Sequence, residues 1–220
     1  MNNEHVEYDG VSAYISSSDD SSGLVFIAPG ALVEHDSTLI TSVKDALSGE
    51  GRTVVVADLG DTPHNSDIPN SRDNFVENLR KVIDGYLEEN SSTEKGFEIV
   101  GHSMGGAAAL SVASDYPIVS VTALDPMAVD SEVIQEIDCP VNIIISDVRS
   151  YRNPGKRMFK ELDGNGDQHA LYEVETSKDV KSGHIFKGQE DVVAEIARDC
   201  SVGEFKPDDV VVSSDFDGPI

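Results

Sequence analysis

The sequence predicts an α/β fold: a mostly parallel sheet with helices on both faces, an N-terminal antiparallel hairpin and no large cap domain. Three observations predict it. Short, continuous Val/Ile/Leu runs alternate with segments of helical period almost from end to end, the mark of strands buried on both faces. Two apolar stretches at the start flank Asp9-Gly10, a hairpin turn signal. The connection between "ALDP" and "CPV" is short, which leaves no room there for a large lid. At 220 residues the chain suits one domain large enough to fold without staples. The expected division is a single domain over 1–204 and an acidic, peripheral tail over 205–220.

The elements follow in order. The stretch "VEYDGVSAYIS" reads as the hairpin, and residues 16–23, "SSSDDSSG", as a loop. "LVFIAPG", 24–30, is a buried strand that ends at Pro-Gly, and 36–48 carries apolar residues at helical spacing. "RTVVVADLG" is a second buried strand. Residues 71–89 form an amphipathic helix with Phe75, Leu79, Val82, Ile83, Tyr86 and Leu87 on one face. "FEIVG" is a third strand and "MGGAAALSVASD" a third helix. "IVSVTALDP" and "CPVNIIISD" are two more strands, with a short segment at 130–137 between them. A last strand starts near Ala170, and "QEDVVAEIARD" is a last helix.

Forty-one acidic residues stand against 16 basic ones, a formal charge of −25. Such a surface repels nucleic acid and anionic membranes. No apolar run approaches the roughly 20 residues of a membrane span. The start, "MNNEHVEYDG", lacks the basic and apolar regions of a secretory signal, so the expected location is the cytoplasm. The acids are dispersed along the chain. Two readings fit: ordinary acidic loops, or adaptation to high salt, where screening suppresses repulsion among dense carboxylates. Cys139 and Cys200 are far apart and in no metal-like spacing, so two buried thiols are expected.

The chemistry concentrates at Gly101-His102-Ser103-Met104-Gly105, between a strand and a helix. This is the G-x-S-x-G pattern of a nucleophile elbow. The turn forces the serine into a strained backbone, and side chains two residues before and after would collide, so glycine is expected at 101 and 105. Gly106 and Ala107 let the helix sit close to the sheet. The hydroxyl of Ser103 is thereby lifted above the sheet edge at a helix N-terminus, which favours developing negative charge. A phosphate-binding loop is excluded by the lack of its lysine.

A serine hydroxyl needs a base. Ser103 lies on the edge where the parallel strands end, so its partners must follow strands. Of the six histidines, His5 is N-terminal and His169 precedes the last strand. His102 adjoins the serine and should point away from its hydroxyl. His35 and His64 follow early strands and could line the pocket. His184, after the last strand and before the last helix, is the expected base. The base in turn needs a carboxylate. Asp125 and Asp147 both end strands on the correct edge. Asp125 is favoured because Pro126 breaks the chain away from its strand; Asp147 is the alternative. For the oxyanion, the expected donors are the backbone N–H groups of Met104 and of Ala31, with Leu32 as a neighbouring candidate. Gly30 would let that loop approach, and Pro29 has no N–H to offer.

In sequence order, the "APGA" loop, "VVVADLGD", "GHSMGG", "ALDP" and "SGHIF" resemble the α/β-hydrolase superfamily from about Leu24 to Asp199. "GHSMGG" with an "LDP" aspartate is similar to the lipase, chlorophyllase and dienelactone-hydrolase-like branches. The resemblance implies an α/β-hydrolase fold in a compact, capless form. In the lipase and chlorophyllase branches the acid follows the strand after the nucleophile, which supports Asp125. Two features depart from the pattern. Pro29-Gly30 stands where most members have His-Gly, and "SDVRSYRNPG" carries Arg149 and Arg152 where many members have the acid.

The resulting expectation is a serine hydrolase of carboxylic esters, esterase- or lipase-like, acting on a small-molecule ester through Ser103, His184 and Asp125, with no metal or organic cofactor required. A thioesterase, lactonase or amidase would use the same parts. A non-catalytic ligand-binding protein of the same fold is the alternative from another class. Leu32, Val33, Met104, Met127, Ile185 and Phe186 are the expected apolar lining of the pocket.

Overall fold

The computed structural model describes residues 2–17, 21–31, 33–59, 68–90, 96–162, 169–176 and 179–202. The expected tail at 205–220, His64 and Leu32 lie outside them. Among the described residues, eight strands form one sheet.

β1 (Asn2–Tyr8) and β2 (Val11–Ser17) pair antiparallel through the expected hairpin. Asp9 and Gly10 both take positive φ, 46° and 79°, as a tight two-residue hairpin requires. β2 runs antiparallel to β4 (Arg52–Ala57). The remaining strands are parallel: β3 (Gly23–Ala28), β4, β5 (Phe97–His102), β6 (Ile118–Leu124), β7 (Val141–Ser146) and β8 (Ala170–Val174). The spatial order is β1-β2-β4-β3-β5-β6-β7-β8.

Successive strand residues feed two cores. Val25, Ile27, Val54 and Val56 pack with α1 (Thr38–Gly49) and α7 (Glu190–Val202). Phe26, Ala28, Val55 and Ala57 pack on the opposite face with α2 (Ile68–Glu89), α3 (Met104–Ser111), α4 (Ser131–Gln135) and α5 (Arg149–Leu162). A strand covered on both faces needs apolar residues at every position, which is why these strands read as unbroken apolar runs. In α2, Phe75, Leu79, Val82 and Ile83 are buried as expected. Each contributes about 1.5–3 kcal/mol, which outweighs the roughly 1 kcal/mol that Gly85 costs inside a helix. Cys139 and Cys200 are both buried thiols, also as expected.

Two helices do not follow from the sequence pattern. α5 contains Pro154, and "RNPG" carries the punctuation of a turn. Packing overrides it. Met158 and Leu162, four residues apart, are fully buried. Gly155 seats the helix directly on Ile145 of β7, where a Cβ would collide with the isoleucine side chain. α6 (Val180–His184) is a single short turn, too brief for a periodic signal.

Candidate active site

Ser103 stands between β5 and α3 with φ 53° and ψ −113°. A non-glycine residue at positive φ is strained and persists only where its surroundings hold it. The glycines supply that hold, for reasons that differ from one another. A Cβ on Gly101 would lie 2.5 Å from the carbonyl oxygen of Gly105, so the turn itself demands glycine there. At Gly105 the nearest atoms to an added Cβ would be those of the Ala28 and Pro29 backbone. Gly106 leaves room for Pro126, whose Cβ would be 3.1 Å from an added methyl.

The elbow is also stitched to the turn after β6. The Ser103 N–H donates to the Leu124 carbonyl at 2.8 Å, and the Met127 N–H donates to the Ser103 carbonyl at 3.0 Å. Asp125, between these contacts, has φ 41° and is fully buried. Its Oδ1 accepts the Ser146 N–H at 2.7 Å, and its Oδ2 accepts the Ser146 hydroxyl at 2.5 Å. Burial pushes the Asp125 carboxyl above the usual carboxylate range, against the hydrogen bonds from His184 and Ser146. A buried carboxylate is tolerated only with such partners.

His184 closes the set. Its Nε2 is 2.8 Å from Ser103 Oγ, and its Nδ1 is 3.3 Å from Asp125 Oδ2. Asp179 caps α6 by accepting the Ser182 N–H at 2.9 Å. Beyond the histidine, Phe186 takes φ 51° and sinks its ring wholly into the core under α1 and α7. Phe186 is thus an anchor for the His184 loop, and not the pocket lining the sequence led us to expect. The other expected lining residues, Val33, Met104, Met127 and Ile185, are half-buried.

The alternative acid, Asp147, turns elsewhere: its Oδ1 accepts the Thr176 N–H at 3.1 Å and the Thr176 hydroxyl at 2.8 Å. His169 lies at the opposite edge of the sheet, where its Nδ1 accepts the Val141 N–H. His35, expected near the pocket, stacks on Tyr14 at 3.6 Å, and His5 on that tyrosine at 4.8 Å.

The loop after β3 presses against the elbow. A Cβ on Gly30 would stand 2.8 Å from His102 Nδ1 and 2.9 Å from Ser103 Cβ. Ala31 follows within the same turn, which the Val33 N–H closes onto the Gly30 carbonyl at 3.1 Å. Met104 opens α3, and the first N–H groups of a helix have no acceptor within it.

Two neighbours, Ser146 and Tyr151, were not read from the sequence, and a third, His102, was set aside there as the base. Ser146 clamps Asp125. Tyr151 of α5 stacks on His184. His102 is not idle: its Nε2–H donates to the His184 carbonyl at 2.9 Å. Burial pushes the His102 imidazole down to about 3, aided by nearby His184, so it is neutral and its Nε2 carries the proton. The only advance signal for these was position, since each sits at or just past a strand end. Among the described residues, no group of three or more His, Cys, Asp or Glu side chains converges as metal ligands would.

The sequence matches the family described as alpha/beta hydrolase fold over residues 23–153, more than half of the chain. A comparison with curated proteins finds no match. Solved structures give extensive likeness at low identity. A dienelactone hydrolase from Anabaena variabilis superposes with a TM-score of 0.77 at 15% identity, over 93% of this chain and 97% of that one. Est1E from Butyrivibrio proteoclasticus gives 0.70 at 14% identity, over 93% and 99%. Carboxyl esterase 2 from Tuber melanosporum gives 0.68 at 12% identity, over 91% and 87%. At these identities the likeness is one of fold.

Proposed function

Because the chain belongs to the α/β-hydrolase fold family, we propose that it is a serine hydrolase of carboxylic esters, with Ser103 as nucleophile, His184 as base and Asp125 as the acid that orients it. The observation that carries this reading is the line from the Ser103 hydroxyl to His184 Nε2 at 2.8 Å, and from His184 Nδ1 to the buried Asp125 at 3.3 Å. A carboxylate at Nδ1 keeps the proton there, which leaves the Nε2 lone pair facing the serine. His184 then takes the Ser103 proton as Oγ attacks the acyl carbon. The tetrahedral oxyanion is held by the N–H groups of Met104 and Ala31. The imidazolium protonates the departing alkoxide, and water attacks the acyl-enzyme with His184 again as base.

The choice of esters rests on neighbours named as a carboxyl esterase and a dienelactone hydrolase. We further propose that the dispersed acidic surface is an adaptation to high salt. The test is a series of p-nitrophenyl esters graded by acyl length, run with the wild type and with Ser103→Ala at several salt concentrations. Turnover by the wild type alone supports the reading. Equal rates in both proteins would refute it, and binding of an ester without turnover would favour a ligand-binding protein.

A further inference from the structure

Tyr151 lies face to face on the imidazole of His184, with ring centroids 3.7 Å apart and planes within 5° of parallel. We propose that Tyr151 is a positioning residue for His184, an inference that rests on the role given to that histidine above. The tyrosine sits in the first turn of α5, where its N–H donates to the Val148 carbonyl at 3.0 Å. That helix is pinned by Gly155 against Ile145 and by Arg152, which meets Glu173 of β8 at 2.9 Å. Lys156 pairs with the same Glu173. The phenol ring is therefore fixed with respect to the sheet edge.

The imidazole needs such a support. Its hydrogen bond to Asp125 is 3.3 Å long, outside the usual range for N–H···O, while Asp125 itself is held at shorter distance by Ser146. His102 donates to the backbone of His184 and touches its ring only at a tilt, with centroids 4.7 Å apart and planes 37° from parallel, so the face-to-face support comes from Tyr151. Rotation about the Cβ–Cγ bond would swing Nε2 off the serine, and a ring stacked at van der Waals distance blocks that rotation. The stack also has a second effect. The groups that face His184 are Asp125, Ser103, neutral His102 and Tyr151. When the serine proton arrives, the imidazolium meets the π electrons of Tyr151 as well as the carboxylate. That attraction is stronger in the transition state than in the ground state, so it acts on kcat and not on KM.

The experiment compares the wild type with Y151F and two non-aromatic variants, Y151L and Y151M. It follows p-nitrophenyl acetate turnover and the NMR signal of the His184 ring protons. We expect kcat to fall roughly tenfold in Y151L and Y151M, equal to about 1.4 kcal/mol, with KM unchanged. Y151F should recover kcat, because the ring and not the hydroxyl does the work. The His184 signal should move downfield in the non-aromatic variants, as the shielding of the overlying ring is lost, and stay in place in Y151F. Wild-type kcat in Y151L and Y151M, a kcat in Y151F as low as theirs, a change confined to KM, or an unmoved resonance would each overturn the inference. A wild type that does not turn over the ester while the resonance still shifts would remove the proposed function and leave the stack as a structural contact.

Discussion

Ser146 grips both oxygens of Asp125, its N–H 2.7 Å from Oδ1 and its hydroxyl 2.5 Å from Oδ2. The end of β7 thus supplies a clamp for the acid at the end of β6, while its next residue, Asp147, is committed to Thr176. This division accounts for a site in which the aspartate after β6 faces the histidine although another stands one strand further on.

Asp125→Asn should therefore lower kcat by about 10⁴, as loss of a triad acid does. Asp147→Asn should leave kcat near the wild-type value, with a modest loss of thermal stability from its hydrogen bonds to Thr176, about 1 kcal/mol. Steady-state kinetics and melting curves of both variants check this. A severe loss in Asp147→Asn with activity retained in Asp125→Asn would reverse the assignment.

Gly30→Ala probes the loop beside the elbow. The added methyl would meet His102 Nδ1 at 2.8 Å and Ser103 Cβ at 2.9 Å. Neither atom can yield without moving the strained serine. The variant should lose most of its activity and about 1–3 kcal/mol of stability, the usual cost of overpacking. Wild-type activity together with an unchanged melting temperature would show that the loop does not press on the elbow in solution.

The buried His102 links stability to pH. Its folded-state value of about 3 lies below the ordinary 6.5. Between those values the unfolded chain takes up a proton that the folded chain does not. The contribution is therefore complete above pH 6.5 and lost as the pH falls. Between pH 7 and 4.5 the wild type should lose about 2–3 kcal/mol more than His102→Gln, which keeps an N–H donor and does not titrate. Asp125 and Glu98, both raised by burial, act in the opposite sense but are common to both proteins. Urea unfolding at the two pH values measures the difference, and equal losses would contradict a neutral buried imidazole.

The net charge of −25 predicts a salt response. The screening length shortens from about 10 Å at 0.1 M salt to about 3 Å at 1 M, and repulsion among the dispersed carboxylates falls with it. The melting temperature should rise steeply from dilute buffer to molar KCl. Full stability in dilute buffer, with no further gain, would contradict the salt adaptation.

Most of the sheet was legible because both-face burial leaves a strong local trace: Val25 to Ala28 and Val54 to Ala57 are apolar at every position and feed both cores. The elbow was legible because its geometry demands Gly101 and Gly105. Topology narrowed the candidate bases to the histidines that follow strands on the serine's edge, His35, His64 and His184, and the place of His184 before the last helix favoured it. Strand position did not separate the two acids, because their difference lies in the partners Ser146 and Thr176, which are distant in sequence. α5 escaped because Pro154 and Gly155 imitate a turn, and its stability comes from burial of Met158 and Leu162 on the sheet. With it escaped Tyr151, whose role depends on where that helix begins.

The most direct test of the account is covalent. The wild type and Ser103→Ala are treated with a serine-directed phosphonate ester, and the modified peptide is identified by mass spectrometry. The account predicts one adduct, on Ser103, its formation lost in His184→Ala as well as in Ser103→Ala. No adduct at any salt concentration, or an adduct that persists on another residue in Ser103→Ala, would contradict it.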